Sequence, residues 1–173
     1  MKELYLLIKI NQGTAEARKS GLNVAKGEYI LFVDGDDWLE LNTLEILYEN
    51  ATKNNSDIVL YHAYKTYDNR KEILECFNNE IRAYSIKELL LGNILPSLCF
   101  KFIKLDYITT ESIQFASHIS FAEDLATSCS MVIFNAKVST VDIPLYNYYI
   151  RSNSITNQIN SRVLEITDAF NFT

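Results

Sequence analysis

Two rhythms of apolar and polar positions run along this chain, one with helical spacing and one of short, nearly unbroken apolar runs. MKELYLLIKI at the start is a brief apolar stretch interrupted by Lys9 and reads as a strand. TAEARKSGLNVAKGEY then has helical character, with Thr14 placed to cap Ala15 to Lys26 and Gly27 to close the helix. Ala17, Gly21, Val24 and Ala25 form a small-residue face suited to close packing on a sheet. EYILFV lacks polar alternation, the pattern of a strand covered on both faces. LNTLEILYENATKNN predicts a second helix with Leu41, Leu44, Leu47 and Tyr48 on one side, and SDIVLYHAYKTY a further strand. Strand–helix–strand order of this kind predicts a parallel α/β sheet flanked by helices.

After Tyr67 the pattern changes. DNRKEILECFNNEIRAY is polar and mixed, a hairpin or loop. Ser85 and Glu88 have capping-box spacing ahead of IKELLLGN, and Pro96 marks a turn before SLCFKFIKLDYI. SFAEDLATSCSMVIFNA carries Leu125, Cys129, Val132 and Ala136 at helical spacing. KVSTVDIPLYNYYIRSNSIT is extended, and NSRVLEITDAFNFT is a weak amphipathic helix.

Composition narrows the function. The 173 residues suffice for one domain with a real core, and 48% are hydrophobic, so the chain is globular. A net charge of -6 argues against nucleic-acid binding, which needs clustered Lys and Arg. Cys76, Cys99 and Cys129 are far apart and form no CxxC pair, which points to reduced thiols in a cytoplasmic protein. No apolar run approaches the ~18 residues of a membrane span.

The strand EYILFV runs directly into Asp34, Asp36 and Asp37. Like charges ~5 Å apart at an effective dielectric near 20 repel by roughly 3 kcal/mol per pair. Either a cation offsets this or the loop is solvated. In open α/β sheets ligands bind at the carboxyl ends of strands, and hard oxygens at i and i+2 suit Mg²⁺ or Mn²⁺ bound to phosphate oxygens. The alternative is a solvated turn in which Asp37 caps the helix that follows.

The stretch NQGTAEARKSGLNVAKGEYILFVDGDDWLE resembles the core of family-2 glycosyltransferases. The shared features are Asn11 and Gly13; Ala17, Arg18 and Gly21; Gly27 to Ile30; and Asp34, Asp36 and Asp37, with Lys19 replacing the family's usual Asn. FAEDLATSCSMVIFNAKVSTVDIPLYNYYIRSNSIT resembles the second family signature, with Glu123 and Asp124 at a helix start and Arg151 and Ser154 in a later turn. The resemblance implies an incomplete GT-A, Rossmann-like fold with a mostly parallel sheet, the whole of 1–173 being one partial glycosyltransferase domain. It implies a nucleotide-sugar donor at Asp34, Asp36 and Asp37, a divalent metal (Mn²⁺ or Mg²⁺) at Asp36 with Asp34, and Asp124 as the catalytic base. The acceptor would be a saccharide or a lipid-linked molecule, glycosylated with inversion in surface polysaccharide or glycolipid assembly in the cytoplasm. Glu123 is expected to be structural, and Ser120 with Glu123 has capping-box spacing, which offers Asp124 a purely helix-stabilising alternative.

The resemblance also implies that the family's first nucleotide-binding βαβ unit is absent and that a C-terminal part is missing. A truncated chain is expected to have little activity of its own and to associate with itself through uncovered strand edges. A catalytically inactive remnant or interaction module is the competing reading. A haloacid-dehalogenase-type phosphatase also uses Asp-x-Asp after a strand, but expects Gly-Thr where Trp38 stands. Trp38, beside the acidic loop, reads as a core aromatic, with packing on a sugar or a base as the alternative. The cluster Tyr146, Tyr148 and Tyr149 reads as packing, Lys101 and Lys104 as solvated, with an approach to an anionic acceptor as the alternative, and His62 and His118 as ordinary surface or core residues.

Overall fold

The computed structural model describes residues 6–8, 10–78, 83–110, 113–117, 122–151 and 167. Its elements are α1 (Thr14–Leu22), β1 (Tyr29–Leu31), β2 (Trp38–Leu39), α2 (Thr43–Asn54), β3 (Ile58–Thr66), β4 (Lys71–Leu74), α3 (Ile86–Leu90), a 3-10 turn (Leu98–Phe100), β5 (Lys101–Lys104), α4 (Leu105–Thr110), α5 (Glu123–Ile133) and β6 (Val138–Tyr149). One six-stranded sheet orders these strands β1-β5-β3-β6-β2, with β4 paired to β3.

The α/β class stands, but strand direction is mixed. β3 and β6 pair in parallel, whereas β1 with β5, β5 with β3, β3 with β4 and β2 with β6 are antiparallel. β1, β3 and β6 therefore run the same way, with β5 inserted against the grain. The mostly parallel sheet expected from sequence is corrected on this point, because an unbroken apolar run reports burial on both faces and not direction.

β3 is the centre of the core: Ile58, Val59, Tyr61 and Ala63 are fully buried. Opposite it, β6 breaks register between Tyr61 and Ala63, where Pro144 faces His62. Proline cannot donate to a ladder, so it belongs at such a bulge, and the bulge re-aims the residues after it. Tyr146, next along β6, is fully buried as a result of this placement at the sheet centre.

The helices differ from expectation in their faces. α1 buries Ala15 and Arg18, while Ala17 and Gly21 are exposed, and it ends at Leu22 with Asn23 as the C-cap instead of reaching Gly27. Its N-cap is Gly13 and not Thr14: Gly13 has φ 89, a conformation open to glycine, and its N–H donates to Asn11 Oδ1 at 3.0 Å. α2 buries Thr43, Leu47 and Ala51, one residue per turn, and leaves Leu41, Leu44 and Tyr48 exposed. The Thr43 hydroxyl donates to the Leu145 carbonyl of β6 at 2.8 Å, which fixes the helix rotation. Ser85 caps α3 through the Glu88 N–H, as its spacing predicts. Leu6 to Ile8 and Ile10 lie outside any strand and are exposed, unlike the expected opening strand. The C-terminal helix expected over 160–173 falls almost wholly outside the described residues.

Candidate active site

Two residues beyond β1 the chain turns through Asp34–Gly35–Asp36–Asp37, closed by the Asp37 N–H donating to the Asp34 carbonyl at 3.1 Å. Three side chains project from this turn, and each meets a different partner. Asp34 Oδ1 accepts from Arg18 Nη2 at 3.3 Å. Asp36 Oδ2 pairs with Arg151 Nε at 3.3 Å. Asp37 accepts from the Tyr146 hydroxyl at 2.7 Å on one oxygen and from the Tyr149 N–H at 2.8 Å on the other. The protein's own donors thus offset part of the repulsion within the turn.

Tyr146 is more than packing. Its hydroxyl accepts from the Asp34 N–H at 3.1 Å while donating to Asp37, so one buried phenol from β6 spans both ends of the acidic turn. Burial and the neighbouring thiol of Cys99 hold this phenol well above the ordinary tyrosine range. Asp37 is itself shifted upward by burial, with the Tyr149 and Tyr146 hydrogen bonds opposing the shift.

Arg18 joins this turn to a distant part of the chain. It is 8% exposed, and its guanidinium bonds both Asp34 and Asp124, the latter 106 residues away in sequence. It also stands over the Phe32 ring and within 3.8 Å of Cys99 Sγ. Burial works against the charge, but Asp124, Cys99, Asp34 and Glu123 outweigh it and raise the guanidinium above its usual range. Asp124 Oδ2 also accepts from the Leu98 N–H at 3.1 Å. Asp124 therefore faces the acidic turn across Arg18, and its carboxylate is committed to tertiary partners, not to capping α5. Ala122, in a left-handed conformation, is the N-cap of α5, and Ser120 lies outside the described residues.

The loop that supplies the Leu98 N–H is held carbonyl by carbonyl. Lys101 Nζ donates to Leu95 O at 2.8 Å and Ser97 O at 2.7 Å, and Ser128 Oγ to Pro96 O at 2.6 Å. Lys101, expected to be solvated, is fully buried, and desolvation lowers its pKa to about 8. Glu123, expected to be structural, is held above the usual carboxylate range by burial first and by Asp124 second.

The sequence motifs point to Asp34, Asp36, Asp37 and Asp124, and the fold brings Asp34 and Asp124 onto one guanidinium. Tyr146 reads from sequence as packing and Lys101 as solvated, and Arg18 is only a motif letter, so the roles of these three come from the fold. Trp38, expected in the core, is 43% exposed. His62 is buried, stacked on Phe77, with Nδ1 accepting from the Cys76 N–H, so it belongs to the core. His118 and Ser154 lie outside the described residues. All three cysteines are free and buried.

Among the described residues no three His, Cys, Asp or Glu side chains converge to hold a metal ion. The set still fits a Mg²⁺- or Mn²⁺-type ion, which takes one or two carboxylates and draws its other ligands from phosphates and water. Asp34 and Asp36 offer hard oxygens on side chains 44% and 36% exposed. Asp37 does not, since both its oxygens are engaged within the protein.

Residues 4–106 match the family model described as glycosyl transferase family 2. The chain is 30% identical to the cholesterol galactosyltransferase of Borreliella burgdorferi, covering 90% of this chain and 48% of that protein. It is also 30% identical to the glycosyltransferase GlyG of Streptococcus pneumoniae serotype 4, covering 83% of this chain and 50% of that one. The chain thus spans about half the length of such relatives. The crystal structure of S. aureus TarS 1-349 in complex with UDP-GlcNAc superposes with a TM-score of 0.69 over 90% of this chain and 44% of that one, at 21% identity, a likeness of fold. With the match covering more than half of its residues, the chain belongs to glycosyl transferase family 2.

Proposed function

We propose that this chain carries the acidic-turn and catalytic-base side of an inverting glycosyltransferase that moves a sugar from a nucleotide-sugar donor to an acceptor hydroxyl. The observation that carries the reading is the buried Arg18, which ties Asp34 of the donor turn to Asp124 of the base motif. A solvated turn and an isolated helix cap would not need a shared buried cation.

In this reading Asp34 and Asp36 face the donor diphosphate and would hold a Mn²⁺ or Mg²⁺ ion there. Such an ion, when bound, neutralises charge on the departing nucleoside diphosphate. Asp37 acts as a positioning residue, fixing the turn against β6 through Tyr146 and Tyr149. Asp124 takes the proton of the acceptor hydroxyl as its oxygen attacks the anomeric carbon and the bond to the diphosphate breaks. A carboxylate has about four lone-pair sites, so the bonds from Arg18 and Leu98 leave Asp124 able to accept a third. Those bonds also aim it. The acceptor is a saccharide or lipid-linked hydroxyl, and surface polysaccharide or glycolipid assembly is the setting we assign.

Nucleotide-sugar turnover by a full-length enzyme carrying this chain, with and without Asp124→Asn, tests the base. A general base contributes typically 10²–10⁴-fold, so turnover should fall by about that factor while donor affinity holds. Unchanged turnover would return Asp124 to a structural role and favour the non-catalytic module.

A further inference from the structure

The acidic turn passes directly into Trp38, and beside Trp38 lies an open groove of about 540 Å³ that the site described above does not use. It is lined by Trp38 of β2, Tyr149 at the end of β6, and Tyr67, Asp68, Asn69 and Arg70 of the β3–β4 turn. We infer that this groove binds a neutral saccharide chain and is the acceptor subsite of the transferase, an inference that rests on the transferase reading above.

Three features point to that ligand class. First, the walls are aromatic and wet. Trp38 is 43% exposed and lies 6.3 Å from the Tyr149 ring, and Tyr67, with the Arg70 guanidinium 4.3 Å from its ring centroid on one face, borders the same space. The C–H face of a sugar ring is apolar and weakly positive, so it rests on the negative face of an indole or phenol. Second, the groove carries a carboxylate, an amide and a guanidinium at one turn, Asp68, Asn69 and Arg70. A sugar hydroxyl both donates and accepts, and this mixture satisfies both roles.

Third, the charges are already spent on one another. Arg70 Nε pairs with Glu72 at 3.0 Å and Lys71 Nζ with Glu40 at 3.2 Å, while Asp68 accepts from the Tyr149 hydroxyl. Among the described residues of the groove no cation is left unpaired to attract a phosphate-bearing chain, and without a bound metal ion Asp36 and Asp37 nearby repel one. A neutral polyhydroxylated chain meets no such penalty. The groove is also joined to the reaction centre. The Tyr149 N–H holds Asp37, Arg151 two residues on pairs with Asp36, and Trp38 follows Asp37 in the chain. A saccharide lying in the groove leads toward the acidic turn.

Trp38 is the chain's single tryptophan, so its fluorescence reports the groove directly. The probes are short β-1,4-linked glucose, β-1,4-linked N-acetylglucosamine and α-1,4-linked glucose oligomers, with ribitol phosphate and UDP plus Mn²⁺ as comparisons. A saturable emission shift with at least one neutral oligomer and none with ribitol phosphate is expected. Tyr67→Ala should weaken that response about tenfold, the loss of one stacking ring. Asp68→Asn should weaken it too, and serves if circular dichroism shows Tyr67→Ala to be unfolded. Both variants should keep the calorimetric heat of UDP plus Mn²⁺. No response to any neutral oligomer, or a response to UDP alone, would overturn the inference. A saccharide response without any nucleotide binding would overturn the transferase reading and leave the groove standing as a saccharide site.

Discussion

Arg18 sets the energetics of the site at the scale of single residues. A guanidinium that is 8% exposed stands between two carboxylates, and removing it leaves Asp34 and Asp124 facing each other without a cation. Breaking a buried ion pair from one side costs about 3–5 kcal/mol, and the partial exposure of Asp34 points to the lower end. Arg18→Gln is therefore expected to lower unfolding stability by about 3 kcal/mol, read as a shift of the urea midpoint with an unchanged slope. A loss below about 1 kcal/mol would mean that water already screens the pair. Arg18→Lys should recover only part of the loss, since one ammonium cannot reproduce the fork that reaches two carboxylates. The acidic residues of the site were legible in the sequence because they sit in ordered, closely spaced motifs. Their partners were not. Nothing local in α1 marks Arg18 as its inward residue, and no short-range pattern announces a bond to Asp124 106 residues on. Tyr146 was hidden for a related reason, since strand alternation reports its burial and not the two groups its hydroxyl joins.

At the scale of elements, the existence of α1, α2, α3, β3, α5 and β6 followed from periodicity and capping. Their faces and directions followed less well. Ala17 and Gly21 of the small-residue face and Leu44 and Tyr48 of the leucine face turned out exposed while Leu47 is buried, because Arg18 bonding to Asp34 and Thr43 bonding to Leu145 rotate polar residues inward. β5 carries a cost that its sequence does not announce, since it takes Lys101 into the core to pin the loop that aims Asp124. The folded pKa of Lys101 is about 8, against about 10.4 for an unfolded lysine. Between these values the unfolded state binds the additional proton, so this residue makes stability rise with pH across that window and lowers it below. Cys76 and Cys99, pushed up to about 12 by burial, pull the other way from about pH 8.5 upward, as the unfolded thiols ionise first. Comparison with Lys101→Met isolates the lysine together with its coupling to the Cys76 and Cys99 thiols. The stability of the wild-type chain relative to that variant should climb by about 2 kcal/mol between pH 8 and 10. A difference that stays flat over this range would show that Lys101 keeps its proton at alkaline pH.

On the scale of the whole molecule, the sheet is organised around β3 and β6, while β1 pairs only with β5 among the described strands. Large apolar side chains lie uncovered ahead of α1 and ahead of and on α2, with Leu6 82%, Ile8 86%, Ile10 88%, Leu41 106% and Leu44 58% exposed. Apolar surface of this kind gathers partners, and open strand edges template pairing. The isolated chain is expected to self-associate as its concentration rises, seen by light scattering after size exclusion. A monodisperse monomer throughout would show that these side chains are too scattered to form a patch. No helix among the described residues is long and apolar enough to cross a membrane. The central claim is that the Asp34–Asp37 turn receives a nucleoside diphosphate, and calorimetric titration of UDP or GDP with Mn²⁺ tests it without relying on turnover. The wild-type chain and Asp124→Asn should give the same metal-dependent heat, and Asp36→Asn should lose it. Equal heats from the wild-type chain and Asp36→Asn would contradict the account.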